Sequence, residues 1–306
     1  MVGHLPGFAR QVGVKQVTAR PPGTSPYPFF VHEKDDAFIS NRIARTGVWE
    51  PFESTMMLGL LKPLDQFIDV GANIGWYALA AAARVGAGGH VIAIEPDSDN
   101  FKLLEANIAQ NSGVSITPFR CAVGCAQGRG TMSASRTNKG DQRVRNFVDG
   151  TEPAHSADTV RIETLDSLLE QTERFDIDRL RVIKIDVQGF EADVLKGAAQ
   201  LLSRLPARAL LFLEFEPSLL RDNSQSSCQD LIDLVASIRR DVFQICRPLR
   251  RLRRLAVSDL VGFEQAGNVS ADLIIAHHSQ VGDLRATLPM IPRLLSHREW
   301  RRRDQR

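Results

Sequence analysis

Residues 67–75 read FIDVGANIG. Apolar residues run into an acid, and two glycines follow with three residues between them. The run has the composition of a buried strand, and the glycines mark a sharp turn at its end. The next stretch, YALAAAARVG (77–86), is alanine-rich and reads as a helix. Glycine admits positive φ and lets a ligand approach the main chain closely. The free amides at the start of the helix can receive an anion or a carboxylate.

Outward from this turn the alternation of strand and helix continues. FISNRIARTG (38–47) and FESTMMLGLLKP (52–63) read as helices ahead of the first strand, QFIDV. HVIAIEP (90–96) is a second strand, SDNFKLLEANIAQNSG (98–113) an amphipathic helix ending at Gly113, and SITPF (115–119) a third strand. Residues 124–158 are polar and suggest short strands and loops. VRIETLDSLLEQ (160–171) predicts a short strand and a helix, with Asp166 as its N-cap. RVIKIDV (181–187) is the fourth strand, GFEADVLKGAAQLLSRL (189–205) a helix and ALLFLEFEP (209–217) the fifth strand. DVFQIC (241–246) and ADLIIAH (271–277) look like a closing antiparallel pair. The fold class expected is therefore α/β: a mostly parallel sheet with helices on both faces. Ligands of such sheets bind beyond the carboxyl ends of the strands, so the acids there, Asp69, Glu95, Asp186 and Glu214, carry the functional reading.

The bulk numbers agree with a large core. The chain has 306 residues, 43% of them hydrophobic, and a net charge of +2. ALLFLEF is too short to cross a bilayer. The N-terminal residues MVGHLPGFARQVGVKQ have no apolar core, so no secretory signal is expected. Four cysteines, Cys121, Cys125, Cys228 and Cys246, form no CxxC pair and suit reduced thiols in a cytoplasmic protein. The C-x-x-x-C of Cys121 and Cys125 reads as two small residues near a strand end. Residues 1–30 hold Gly and Pro and are expected to run over the surface. Two segments are locally basic, RPLRRLRRL (247–255) and HREWRRRDQR (297–306).

The chemistry of the turn narrows the ligand. Glu95 lies twenty residues past Gly75, where an acid can hold the two hydroxyls of a ribose. The pattern is D-x-G-x-x-x-G and not G-x-G-x-x-G, and an acid before the first glycine would repel a pyrophosphate. It suits a ligand with a cationic amino-acid end, S-adenosylmethionine. A nicotinamide short-chain reductase would need Tyr-x-x-x-Lys, and neither Tyr27 nor Tyr77 has a lysine four residues on.

Several ordered blocks carry a family resemblance: DVGANIG (69–75), IEPDSDNFKLLEANI (94–108), TLDSLL (164–169) and, above all, IKIDVQGFEADVLKGA (183–198), with GVWEPFE (47–53) upstream. Over roughly residues 35–276 the chain resembles the FkbM family of methyltransferases. The resemblance implies a Rossmann-like class I methyltransferase with a seven-stranded sheet, S-adenosylmethionine as cofactor, and O-methylation of a sugar, glycan or polyketide-like hydroxyl. It implies that Asp69, Gly71, Asn73 and Gly75 line the cofactor turn, that Glu95 holds the ribose and that Asp186 stands beside the methyl-transfer site. The chain is expected to divide into an N-terminal extension (1–34), a methyltransferase domain (35–280) and a basic C-terminal tail (281–306). One departure is visible: where the family usually shows Asp-x-Glu-Gly, this chain has Asp186-Val187-Gln188-Gly189. The glutamine removes a carboxylate but can still hydrogen-bond.

Methyl transfer depends mostly on positioning, and a hydroxyl acceptor gains from a base or a metal. The candidate bases are Asp186, Glu191, Glu214 and the pair His277–His278; Glu191 also suits the first turn of a helix as a plain charge. Asp186 with Glu214 offers oxygen ligands for Mg²⁺, but Gln188 disfavours a metal, and no metal ligands are assigned. Lys184 shares a strand face with Asp186 and either pairs with Asp186 or Glu214 or reaches to the rim. The 247–254 arginines read first as a solvated face, next as a hold on an anionic acceptor and last as a nucleic-acid contact. The alternatives to O-methylation are N- or RNA methylation on the same fold, or an inactive adenosylmethionine-binding module.

Overall fold

A computed structural model describes residues 13–34, 36, 38–134, 142–146, 159–223, 226–247, 251–266 and 270–287. The strands, in chain order, begin with β1 (Val14–Ala19), β2 (Tyr27–His32), β3 (Gln66–Val70), β4 (His90–Ile94) and β5 (Ile116–Phe119). A small group follows: β6 (Ala122–Val123), β7 (Gly128–Ala134), β8 (Gln142–Asn146) and β9 (Thr159–Glu163). The last five are β10 (Leu180–Ile185), β11 (Leu210–Phe215), β12 (Asp241–Cys246), β13 (Arg251–Leu255) and β14 (Ala271–Ala276).

The main sheet has the order β13-β12-β14-β11-β10-β3-β4-β5. Strands β11, β10, β3, β4 and β5 are parallel neighbours, while β14 and β13 run against theirs. From β3 the chain builds outward through β4 and β5, then returns to place β10 on the other side of β3. The reversal opens a crevice at the carboxyl ends of β3 and β10, where this architecture takes its ligands.

Both faces are covered, so both parities of each inner strand are apolar. Phe67 and Val182 pack with Ile274 under the helices Pro51–Leu60 and Trp76–Val85, whereas Ile68, Val70, Ile183 and Ile185 pack on the opposite side with Leu165, Val194 and Leu231. The first face carries a polar row at its carboxyl edge. In register, Lys184 stands beside Asp69, and Glu214 beside Asp272.

The order of elements follows the sequence expectation, with five differences. The sheet has eight strands rather than seven. RLRRL forms β13 at the edge, pairing with β12, because Leu255 is buried while its arginines point out; charged side chains on such an edge discourage further pairing. Residues 14–32 do not run over the surface: β1 and β2 pair antiparallel, and Phe29, Phe30 and Val31 join the core. Residues 189–205 hold two short helices, Glu191–Lys196 and Ala199–Ser203, instead of one. The break lies at Gly197, where a Cβ would meet the Gly124 carbonyl oxygen at 2.1 Å. Asp166 caps, but not its own helix: Thr164 accepts from Ser167 N, and Asp166 accepts from the amides of Gln200 and Leu201 in the later helix. Finally, β12 and β14 form the expected antiparallel pair, but the placement of the histidines that follow differs, because β14 also runs against β11, with Ala276 beside Leu210. His277 and His278 therefore emerge at the amino end of β11, the end of the sheet away from the crevice, which removes them as candidate bases. Within 124–158, β7 and β8 pair, and residues 135–141 and 147–158 lie outside the described residues. So do residues 288–306 with the segment HREWRRRDQR, and residues 248–250 of the arginine-rich segment.

Candidate active site

The turn after β3 is built as the motif suggests. Gly71, Asn73 and Gly75 all have positive φ, at 81°, 51° and 93°. At Gly71 a Cβ would meet the carbonyl oxygen of Asp186 at 1.9 Å, because the end of β10 passes directly beside the turn. The amides of Gly71 and Ala72 both donate to the Ile94 carbonyl at 3.0 Å, which pins the turn to β4. Glu95 is buried; its Oε2 accepts from Asn73 N at 2.8 Å and its Oε1 from Asp97 N at 2.9 Å. Burial pushes its carboxyl up to about 8 despite those amides. Gly71, Asn73, Glu95 and Asp186 line a cleft walled by Trp49, Tyr77 and Phe190, the mix of apolar walls and a few converging polar groups that ligand sites show.

Asp69 is fully buried, and neither carboxylate oxygen has a hydrogen bond; its counter-charge is Lys184 Nζ at 3.7 Å. Burial raises its carboxyl to about 6. Asp69 thus acts beneath the turn and not as a wall of the cleft. Lys184 does not reach to the rim. It pairs with Asp186 at 3.1 Å and lies 5.2 Å from the centroid of the Tyr77 ring, a cation–π distance. Burial opposes its charge, but Asp186, Asp69 and Glu50 outweigh it and hold the ammonium firmly protonated.

Asp186 and Glu214 are joined through Gln188, whose amide donates to Asp186 Oδ1 at 3.0 Å and to Glu214 Oε2 at 2.8 Å. A neutral amide bridges two carboxylates that a third acid would repel. Burial opposes the charge of Asp186, but Lys184 outweighs it and holds the carboxyl below its usual range; burial and Asp186 push Glu214 well above its own. Glu191 sits elsewhere. Its Oε1 accepts from Gly189 N at 3.0 Å and Val187 N at 3.4 Å, so the side chain closes the turn 187–189 and does not line the cleft. Burial pushes it up to about 7.

A second, smaller pocket meets the cleft at Lys184 and Asp186, which line both. Its further walls include Glu50, Glu53, Glu214, Asp272 and Phe212. Arg247 ties this side together: Nε donates to Glu53, and Nη2 lies 2.9 Å from Asp272 and 3.5 Å from Glu50. Tyr77 Oη donates to Glu50 Oε2 at 2.8 Å. Of these residues only Glu214 carries a role in the sequence alone; Glu50 and Glu53 carry none, although they stand inside the quoted GVWEPFE block. Arg247 and Asp272 had no signal beyond the basic run and a strand. Among the described residues no three His, Cys, Asp or Glu side chains are grouped to hold a metal ion, and no helix is long and apolar enough to cross a membrane.

An open, mostly parallel sheet with a glycine turn at its switch point and an acid ending the neighbouring strand defines a nucleoside-binding α/β protein. The methyltransferase FkbM domain matches residues 69–241, more than half of the chain, and the chain belongs to that family. The hexuronic acid methyltransferase AglP of Haloferax volcanii is 29% identical over 140 residues, 45% of this chain. The matched stretch spans about half of that relative's length, 52%. Solved structures of similar outline include a precorrin-6y C5,15-methyltransferase from Geobacter metallireducens, with 10% identity, TM-score 0.40, and 74% of this chain and 88% of that one covered. A TehB-like SAM-dependent methyltransferase from Corynebacterium glutamicum has 9% identity and TM-score 0.40, with 78% and 93% covered.

Proposed function

We propose that the chain is an S-adenosylmethionine-dependent O-methyltransferase acting on a hydroxyl of a sugar or similarly polyhydroxylated acceptor. The observation that carries this reading is the pair of cavities meeting at Lys184 and Asp186. The larger has the residues for a ribose and a cationic amino-acid end: Glu95, the backbone of 71–75 and the carboxylate of Asp186. The cofactor supplies an electrophilic methyl group when bound. Asp186, charged through Lys184, favours the ammonium of that ligand, and Gln188 keeps its carboxylate aligned. The smaller cavity is where the acceptor hydroxyl would enter.

The lining of that smaller cavity supports an uncharged acceptor. Glu50, Glu53, Asp186, Glu214 and Asp272 face two cations, Lys184 and Arg247, and both cations are already paired. Carboxylates accept hydrogen bonds from sugar hydroxyls, whereas an acidic ring meets repulsion there. The match to a hexuronic acid methyltransferase supports a sugar, and the pocket favours a neutral one. Arg251, Arg253 and Arg254 of β13 are exposed on the sheet edge, which supports their reading as a solvated face, whereas Arg247 of the same basic segment is paired with the acids of the pocket. Four unpaired thiols support residence in the reducing cytoplasm.

The first test is calorimetric titration with S-adenosylhomocysteine and, separately, NADH; the expected result is binding of the first alone. Transfer of labelled methyl from S-adenosylmethionine to a panel of p-nitrophenyl glycosides follows, with glucoside, mannoside, rhamnoside and glucuronide in parallel. Faster labelling of the neutral glycosides is expected. Cofactor binding with no labelled glycoside would overturn the sugar reading and favour an N- or RNA methyltransferase or an inactive binding module.

A further inference from the structure

Glu50 lies between the helices Ile39–Thr46 and Pro51–Leu60, ahead of the first parallel strand. Its backbone is left-handed, φ 39° and ψ 65°, directly before Pro51. A residue other than glycine keeps that conformation only where its surroundings impose it, and such positions concentrate at functional sites. Here the side chain is held at both oxygens. Tyr77 Oη donates to Oε2 at 2.8 Å, and Arg247 Nη2 lies 3.5 Å from Oε1. The held carboxylate forms part of the wall of the smaller pocket, opposite Asp186 and Glu214.

Those two strand-end acids are bridged to each other by Gln188. Asp186 receives Lys184 and the Gln188 amide, and Glu214 receives the same amide. Resting on the O-methyltransferase reading, we propose that Glu50 is the catalytic base, accepting the proton of the acceptor hydroxyl. The acceptor O–H bond breaks toward the Glu50 carboxylate, and the oxygen's electron pair forms the new O–CH₃ bond. The bond between methyl and sulfonium breaks with its pair retained on sulfur, leaving a neutral thioether. The proton leaves Glu50 for solvent after release of the methyl ether, so atoms and charge balance.

The electrostatics agree with this task. Burial, then Glu53 on the following helix and Asp186 just past β10, raise the Glu50 carboxyl, Arg247 beyond β12 and Tyr77 lower it, and the balance leaves it at about 7. Lys184 on β10 faces it across Tyr77, and Asp272 on β14 shares Arg247 with it. A base with this value is charged near neutral pH and still strong enough to take a proton. Asp186 is held below its usual range by Lys184, which weakens it as a base, while burial and Asp186 push Glu214 well above its own range.

The test uses Glu50→Gln, with the glycoside that the wild type methylates fastest as acceptor. The expected result is a fall in kcat of about 100-fold or more with the affinity for S-adenosylhomocysteine unchanged. Wild-type activity should be present above about pH 7 and lost as the pH falls through it. Carbon-13 NMR of the glutamate carboxyls gives a readout without turnover. Two glutamate carboxyls, Glu50 and Glu191, should titrate near 7; one of the two signals should vanish in Glu50→Gln, and the same one should move upward in Tyr77→Phe, because the tyrosine hydrogen bond stabilises the charged form. Should Glu50→Gln not fold, the upward shift of the acidic limb of kcat/KM in Tyr77→Phe decides the matter. Retained kcat in Glu50→Gln, or an unmoved limb in Tyr77→Phe, overturns the assignment and leaves the sugar reading standing. Binding of S-adenosylhomocysteine with no glycoside methylated by the wild type overturns both.

Discussion

The two cavities that meet at Lys184 and Asp186 are made in different ways. The cofactor side is largely local: Gly71, Asn73, Gly75 and Glu95 fall within 25 residues, and main-chain amides do much of the holding. The acceptor side is assembled from far apart, with Arg247 bound to Glu53 across 194 positions and to Glu50 across 197. The first side needs one backbone shape and tolerates few substitutions. The second is a set of mutually adjusted charges, so its chemistry can be retuned one side chain at a time.

Lys184 belongs to both sides, and its loss should have the largest effect. Lys184→Met leaves Asp69 and Asp186 without their cation in a buried row and should cost about 3–5 kcal/mol of stability in chemical denaturation. If stability holds, the two sides are not joined by that lysine. Gly71→Ala attacks the backbone shape alone. Its Cβ meets the Asp186 carbonyl in a left-handed turn, so a loss of about 3 kcal/mol and of measurable S-adenosylhomocysteine binding is expected.

Glu95→Gln should weaken S-adenosylhomocysteine by about 10-fold, the scale of one hydrogen bond, with the fold intact. The same change alters stability with pH in a fixed direction. The carboxyl is raised from its ordinary 4.5 to about 8 in the folded, ligand-free chain. The folded state therefore binds the proton more tightly, and its contribution to stability is full below about 4.5 and lost as the pH rises through about 8. Thermal melts of Glu95→Gln should lose that decline; an unchanged profile would place the carboxyl in solvent.

On the acceptor side, Arg247→Ala should change the acceptor KM while the Kd of S-adenosylhomocysteine stays put. The arginine side chain is 52% exposed, so screening limits the stability change to about 1 kcal/mol. A changed cofactor Kd would mean that the two sides are not separable. Glu191→Gln tests the smallest effect. Its oxygen still accepts from the 187–189 turn, so stability near neutral pH should shift by less than about 1 kcal/mol and methyl transfer should persist. A collapse of kcat there would return Glu191 to the list of bases.

Much of this was legible in the chain. Strand β3, its glycine turn and Glu95 were readable because buried parallel strands are apolar throughout and a positive-φ turn recruits glycine. Asp186 was legible as the acid ending RVIKIDV, and Glu214 as the acid inside ALLFLEFEP. Glu191 was misplaced in emphasis, since the same acid that opens a helix can fold back on the turn before it. His277 and His278 follow a strand whose direction no residue announces; the antiparallel run of β14 carried them to the far end of the sheet. The N-terminal ribbon was obscured by its Gly and Pro punctuation, although Phe29 and Phe30 are buried.

The sequence by itself determined the order of strands and helices, the cofactor turn and the acids at strand ends, because each depends on neighbours within a few residues. Only the tertiary structure decided which charges meet. The register of β3 against β10 set Lys184 between Asp69 and Asp186, the bend at Gln188 joined Asp186 to Glu214, and the return of β12 brought Arg247 to Glu50 and Glu53. Coulomb energies depend on distance through space, and that distance follows from packing, not from position along the chain.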